Sequence, residues 1–343
     1  MVGLNKTASA SIFFIAISLV VCVPQQVLAD SSINRISDKA VSFVSDRFNA
    51  SMGLCSEVVE ETPNSIGFSG SVYWIYSDNV LAYALLRKYN LTTANVLRQS
   101  LLNYASAYHL DNDSNGFPID FKHEPILSAF VTEDFNGSVG DSFPSNFVPR
   151  NAVLRDLNVS SSFKVCTEID NGSDVAAYSN FVDWLAWIGL SCLNSGNRSL
   201  ATQYYDDIMK FWQGNGFHDR RYDELGYYET FKLGLVIYFR KALQLSKPDA
   251  EKTMERIIEI CQLDNGGVCV NYNDALEVWG NPNVETSALV GLAGIVKIPE
   301  SCSALVMPLV IGTVAIVTVT LVACIFYSKR KRVPSAKQTK ETV

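Results

Sequence analysis

The chain has 343 residues, 28 Lys and Arg against 35 Asp and Glu, and a net charge of −7. The charge is uneven: residues 328–343 hold six Lys/Arg and one Glu, and Lys6 is the one charge in residues 1–29, so residues 30–303 carry −13. So acidic a central region argues against nucleic acid or anionic lipid as a partner and is compatible with sugars, cations or simple solubility.

Lys6 precedes an apolar run over 12–23, and Val27-Leu28-Ala29 places small or aliphatic residues where a signal peptidase reads, before Asp30. Residues 1–29 are therefore expected to be a signal peptide and 30–303 an extracellular domain. Residues 304–327 are 24 residues without a charge, followed by Lys329-Arg330-Lys331-Arg332. A helix crosses the hydrocarbon core with roughly 20 apolar residues, and flanking basic residues stay cytoplasmic. This predicts a C-terminal transmembrane helix over 304–327, a cytoplasmic tail over 328–343, and a single-pass protein of the cell membrane with its N-terminal domain outside.

Asn49, Asn90, Asn112, Asn136, Asn158, Asn171 and Asn197 each open an Asn-x-Ser/Thr triplet in the outer region, the pattern of an N-glycosylated protein. Cys55, Cys166, Cys192, Cys261, Cys269 and Cys302 are an even set in an exported domain, which suggests disulfides. Cys261 and Cys269 flank a Gly-Gly turn and are the best local pair; free buried thiols are the alternative. His109, His123 and His218 stand outside any Cys/His cluster, so a structural zinc site is not expected.

Helical patterns cover about 32–48, 94–109, 198–212 and 248–263, the last opened by Pro248. Three glycine turns punctuate the pattern, Asn115-Gly116-Phe117, Asn215-Gly216-Phe217 and Asn265-Gly266-Gly267, with a weaker copy at Ile66-Gly67-Phe68. After each turn comes a more apolar helix, starting near Asp78-Asn79-Val80, Ser179-Asn180-Phe181, Glu229-Thr230-Phe231 and Glu285-Thr286-Ser287. Helices apolar on all faces are buried, so these form the inner layer. A unit of about fifty residues repeated four times reads as stacked helical hairpins. Residues 110 to about 173 are in excess of the repeat and read as a long loop or small β insertion.

Gln262-Leu263-Asp264-Asn265-Gly266-Gly267 and Gln213-Gly214-Asn215-Gly216-Phe217 resemble the glycine turns of α/α-toroid proteins, and Val284-Glu285-Thr286-Ser287-Ala288-Leu289 looks like the start of an inner toroid helix. That superfamily includes terpene cyclases, prenyltransferase β-subunits and the six-hairpin glycosidases and lyases. The resemblance covers about 33–296 and implies an all-α fold: an incomplete α/α toroid of about four hairpins with a loop or β insertion. The sequence lacks the cyclases' Asp-x-Asp-Asp motif and the prenyltransferases' Asp/Cys/His zinc set. The glycan-active branch is therefore the implied one, by analogy of fold.

In a toroid the inner helices begin around one mouth. Asp78, Glu229 and Glu285 would meet there as acid/base candidates, the pair of carboxylates that glycoside hydrolysis needs being among them. Trp74, Tyr76, Tyr228 and Trp279 lie just before these helices and would stack on sugar rings, with Asn79 and Asn180 as polar contacts. The bland alternative is that carboxylates at helix starts only cap free N–H groups. Asp183 sits in an apolar helix and needs a partner or a function; Arg240 or Lys232 would supply a salt bridge. Asp111, Asp113 and Asn115 resemble the first half of a calcium loop, although Lys122 stands where an EF-hand has Glu. Calcium is the one cofactor the residues suggest. The expected function is a membrane-anchored, glycosylated surface protein that binds or processes glycans at the mouth, resembling a glycoside hydrolase or polysaccharide lyase if an enzyme. The alternative is a non-catalytic envelope or interaction protein that binds a protein or apolar ligand through the mouth or the insertion.

Overall fold

The computed structural model describes residues 31–57, 68–108 and 150–295. The expected signal peptide, the 304–327 span, the basic tail, the half calcium loop at Asp111, Asp113 and Asn115, and the sequons at Asn112 and Asn136 lie outside them. Among the described residues no helix is long and apolar enough to cross a membrane.

The chain runs α1 (Ser31–Asp46), β1 (Phe48–Asn49), β2 (Leu54–Cys55), β3 (Ser71–Trp74), a π-helical turn (Ile75–Val80), α2 (Leu81–Leu86) and α3 (Leu91–Tyr108). It resumes with β4 (Arg150–Val159), β5 (Phe163–Asp174), a short 3-10 turn (Tyr178–Asn180), α4 (Val182–Asn194), α5 (Arg198–Met209) and α6 (Arg220–Leu225). It continues through β6 (Tyr228–Glu229), α7 (Phe231–Ala242), α8 (Asp249–Cys261), β7 (Cys269–Tyr272), β8 (Val278–Pro282) and α9 (Val284–Ile295).

The expectation of an all-α fold is overturned. About 55% of the described residues are helical and 20% lie in strands, in three sheets, so the fold is mixed α/β. Two of the strands come from the excess segment, where β4 and β5 form an antiparallel hairpin. β5 then pairs in parallel with β3, with Trp74 opposite Cys166. This pairing joins residues about ninety apart, which local patterning does not reveal. β4 also lacks clean alternation, because Val153, Leu154 and Val159 are exposed. In the third sheet, β6-β7-β8, the connection from α8 to α9 supplies β7 and β8, and β6 comes from the entry to α7.

The helices form two layers. α2, α9, α7 and α4 pack side by side in that order, with α3, α1, α8 and α5 behind them. The inner helices approach closely because small residues lie at their seams. A Cβ at Gly234 of α7 would stand 3.0 Å from the Val290 backbone nitrogen of α9. Behind the inner layer, Arg240 of α7 makes two 2.7 Å hydrogen bonds to Glu251 of α8, with both side chains 2% exposed. A pair so deeply buried holds the two layers in one register, since neither charge tolerates loss of the other.

The expected disulfide is also overturned. Cys261 and Cys269 are free thiols, as are Cys55, Cys166 and Cys192. Gln262 and Val268 pair as a β-bridge, so the backbone itself closes the glycine turn. Burial pushes the Cys261 thiol up to about 12, which makes it inert.

Two outcomes follow for stability. Gly234→Ala should lower stability by about 1–3 kcal/mol through overpacking against α9. Glu251→Ala should lower it by about 3–5 kcal/mol by leaving Arg240 buried and unpaired. Both are read by denaturant unfolding.

Candidate functional site: an acidic rim at the inner-helix starts

The inner helices begin at one end of the layer, and each brings a carboxylate there. Asp78 lies in the π-helical turn that leads into α2, Asp183 is the second residue of α4, Glu229 ends β6 just before α7, and Glu285 is the second residue of α9. Two more come from extended segments. The Glu57 amide donates to Val72 O at 2.8 Å, which sets Glu57 beside β3. Glu168 lies two residues beyond Cys166 on β5, so it shares a sheet face with Cys166 and with Trp74 opposite it. The Trp74 indole N–H donates to Glu57 at 2.9 Å.

The π turn is pinned from within. The Asn79 side chain accepts from the Cys55 amide at 2.7 Å and donates to the carbonyls of Cys55 at 3.1 Å and Trp74 at 2.6 Å. Asn79 is fully buried and wholly occupied, so it is a staple for the turn and does not face a ligand. π turns of this kind recur at functional sites because they re-aim side chains out of helical register. Here the turn carries Asp78.

The carboxylates lie in one another's fields. Burial raises Asp78 well above the ordinary carboxylate range, and the charges of Glu57, Glu285 and Glu168 raise it further against a hydrogen bond from Ser77. Glu285 is pushed up to about 8 by burial and then by Glu168, Glu229, Glu57 and Asp183. Burial also raises Asp183, opposed by Lys232 and reinforced by Glu229 and Asp219. Asp78 Oδ2 and Asp183 Oδ1 are buried with no hydrogen-bond partner among the described residues. The positive ends of four inner helices face this charge and offset part of it.

Lys232 is the cation set among these acids. Its ammonium contacts Asp219 at 2.7 Å and Glu229 at 2.9 Å, and its side chain is 4% exposed. Burial works against its charge, yet Asp183, Glu229 and Asp219 hold it above its ordinary value. Asp219 also accepts from the Val182 amide at 3.0 Å and from the Tyr222 amide at 3.2 Å, joining α4, α6 and α7. Arg221 reaches the outer side of Glu229 at 3.9 Å. Of the two cations expected near Asp183, Lys232 is the one that faces it, while Arg240 is committed to Glu251.

The structure thus brings Asp78, Glu229 and Glu285 together, with Trp74 on the same side. Tyr228 is elsewhere in purpose: it is buried, its hydroxyl donates to Asp274 at 2.7 Å, and its ring stacks on Tyr222 and Tyr272. Trp279 is 37% exposed on β8 with its ring edge-on to Tyr227, and Asn180 is exposed on the 3-10 turn. The backbone of Tyr76 belongs to the π turn. Among the described residues no group of His, Cys, Asp or Glu is arranged to hold a metal ion. Sequence reasoning missed Glu57, Glu168 and Asp219. The first two reach the rim only through strand pairing, and Asp219 only through the α4–α7 contact.

Comparison with protein-family models, curated proteins and solved structures finds no match to this chain.

The raised Glu285 value makes folding pH-dependent. Between the ordinary 4.5 and about 8 the folded chain keeps a proton that the unfolded chain releases, so stability falls as pH rises through that window. Denaturant unfolding at pH 5 and pH 8 should show this decline, and Glu285→Gln should flatten it.

Proposed function

We propose that this is an exported protein that binds glycans at the acidic rim and cleaves them by acid/base chemistry. The observation that carries the reading is the unlike setting of two carboxylates on one rim. Glu285 is half-buried among other acids and pushed up to about 8, so it holds its proton at neutral pH. Glu229 is bound by Lys232 at 2.9 Å and approached by Arg221 at 3.9 Å. Carboxylates held in unlike surroundings, one among acids and one against cations, are the arrangement an acid and its counterpart need. Glu285 would donate a proton to the leaving glycosidic oxygen, and Glu229 would act as base or nucleophile on the sugar. Trp74, half-buried and fixed through Glu57, offers an aromatic face beside the acids.

The experiment is a panel of polysaccharides and oligosaccharides incubated with the full chain, scored for binding and for new reducing ends. Cleavage should fall as pH rises past about 8, where Glu285 loses its proton. Glu285→Gln should lower turnover by roughly 10²–10⁴-fold with binding retained. A folded protein that binds none of the panel, or a Glu285→Gln variant that cleaves like the parent, would overturn the reading.

A further inference from the structure

Four of the sequons have described side chains, and their carboxamides fall into two kinds. Asn90 and Asn197 are exposed and stand at the starts of outer helices. Asn90 Oδ1 accepts from the Thr93 amide at 3.1 Å at the start of α3, and Asn197 Oδ1 accepts from the Leu200 amide at 3.2 Å as the N-cap of α5. With Oδ1 turned to the helix, Nδ2 turns away from it. Capping and presentation of the amide nitrogen are thus one geometry.

Asn49 and Asn158 differ from these in that their side chains are engaged by tyrosine hydroxyls, Asn158 while exposed on β4. Asn49 Oδ1 accepts from the Ser51 amide at 3.0 Å and its hydroxyl at 2.7 Å, which aims Nδ2 at the Tyr73 hydroxyl, 2.8 Å away. Tyr73 is 2% exposed, so this nitrogen faces inward. The Asn158 side chain is hydrogen-bonded to the Tyr104 hydroxyl.

Asn90 and Asn197 also share a place in the fold. Asn90 follows α2 and Asn197 follows α4, the two inner helices whose starts bring Asp78 and Asp183 to the rim. α4 has 13 residues. At 1.5 Å per residue it puts its two ends about 20 Å apart. Asn197 therefore lies at the end of the layer remote from the acids, and Asn90 lies beyond the C-terminal end of α2.

We propose that Asn90 and Asn197 carry N-linked glycans on the face opposite the acidic rim, and that Asn49 and Asn158 stay bare. The donor is an oligosaccharide linked to a lipid phosphate or pyrophosphate. The bond from Nδ2 to the anomeric carbon forms as the bond from that carbon to the phosphate oxygen breaks. One amide proton is released and the lipid phosphate leaves. A chain that folds this way must leave room for a glycan on Nδ2; the two capping asparagines leave it, and the buried Tyr73 closes it off at Asn49. Glycans so placed shield the back of the domain and leave the rim open.

The test is expression of the full chain in yeast, followed by peptide mass mapping of each sequon with and without endoglycosidase. Glycan is expected at Asn90 and Asn197 and not at Asn49 or Asn158. Thr92→Ala and Ser199→Ala, which spoil each sequon while keeping the capping asparagine, should each remove one glycan and leave the melting temperature of the deglycosylated protein unchanged. Glycan at Asn49 or Asn158, or a chain glycosylated elsewhere but bare at Asn90 and Asn197, overturns the proposal. A chain with no glycan overturns it together with the exported reading, while the cleavage assay on the rim stands or falls separately.

Discussion

The acidic rim depends on one ammonium. Lys232 is buried between α4 and α7, in contact with Asp219 and Glu229 and facing Asp183. Without it, three carboxylates would be crowded into a low-dielectric space with like charge, an arrangement that costs several kcal/mol per ion. The same contact is mechanical. Asp219 binds Lys232 and the first amide of α4 and is itself the cap of α6, so the relative placement of α4 and α7 and the pose of Glu229 are set together. Asp78 and Glu285 are described by the opposite condition. Their largest influences are burial and other acids, which drive them toward the protonated form. One rim therefore holds carboxylates in two settings, some against the Lys232 ammonium and some among other acids.

The surroundings of this contact are closely packed. The inner helices meet through glycines that bring backbones together, as at Gly234 against Val290. The outer layer is locked from behind by Arg240 and Glu251. At the rim, Asn79 ties the π turn to the Cys55 backbone, so Asp78 is held by a buried side chain with no freedom of its own. Side chains supported in this way keep their geometry when charge changes.

Much of the local structure was legible. The four apolar inner helices start within a few residues of where the pattern puts them, because a helix apolar on every face has only the interior to occupy. Gly266 has φ +87° and its Cβ position would meet the Lys39 carbonyl, so that glycine turn is real and obligatory. Convergence of Asp78, Glu229 and Glu285 was also legible, since parallel inner helices place their starts together. The hydrogen bonds that employ Asn79 and Tyr228 as structural parts were not, because an amide or phenol looks alike in sequence whether it meets a ligand or a backbone carbonyl. The Cys261–Cys269 pairing was misread for a related reason: the β-bridge across the turn brings both residues near without joining their sulfurs.

What the sequence by itself determined is the local layer: helix positions, glycine turns and the excess acid. Hydrophobic period and turn chemistry act over a few residues, and that is the range at which they are written. The β3–β5 pairing, the arrival of Glu57 and Glu168 at the rim, and the choice of Lys232 as partner for Asp219 were decided only by the tertiary structure. Each joins elements through backbone hydrogen bonds or a buried charge pair, interactions whose strength depends on distance in space and on exclusion of water. Neither quantity exists until the layers have packed.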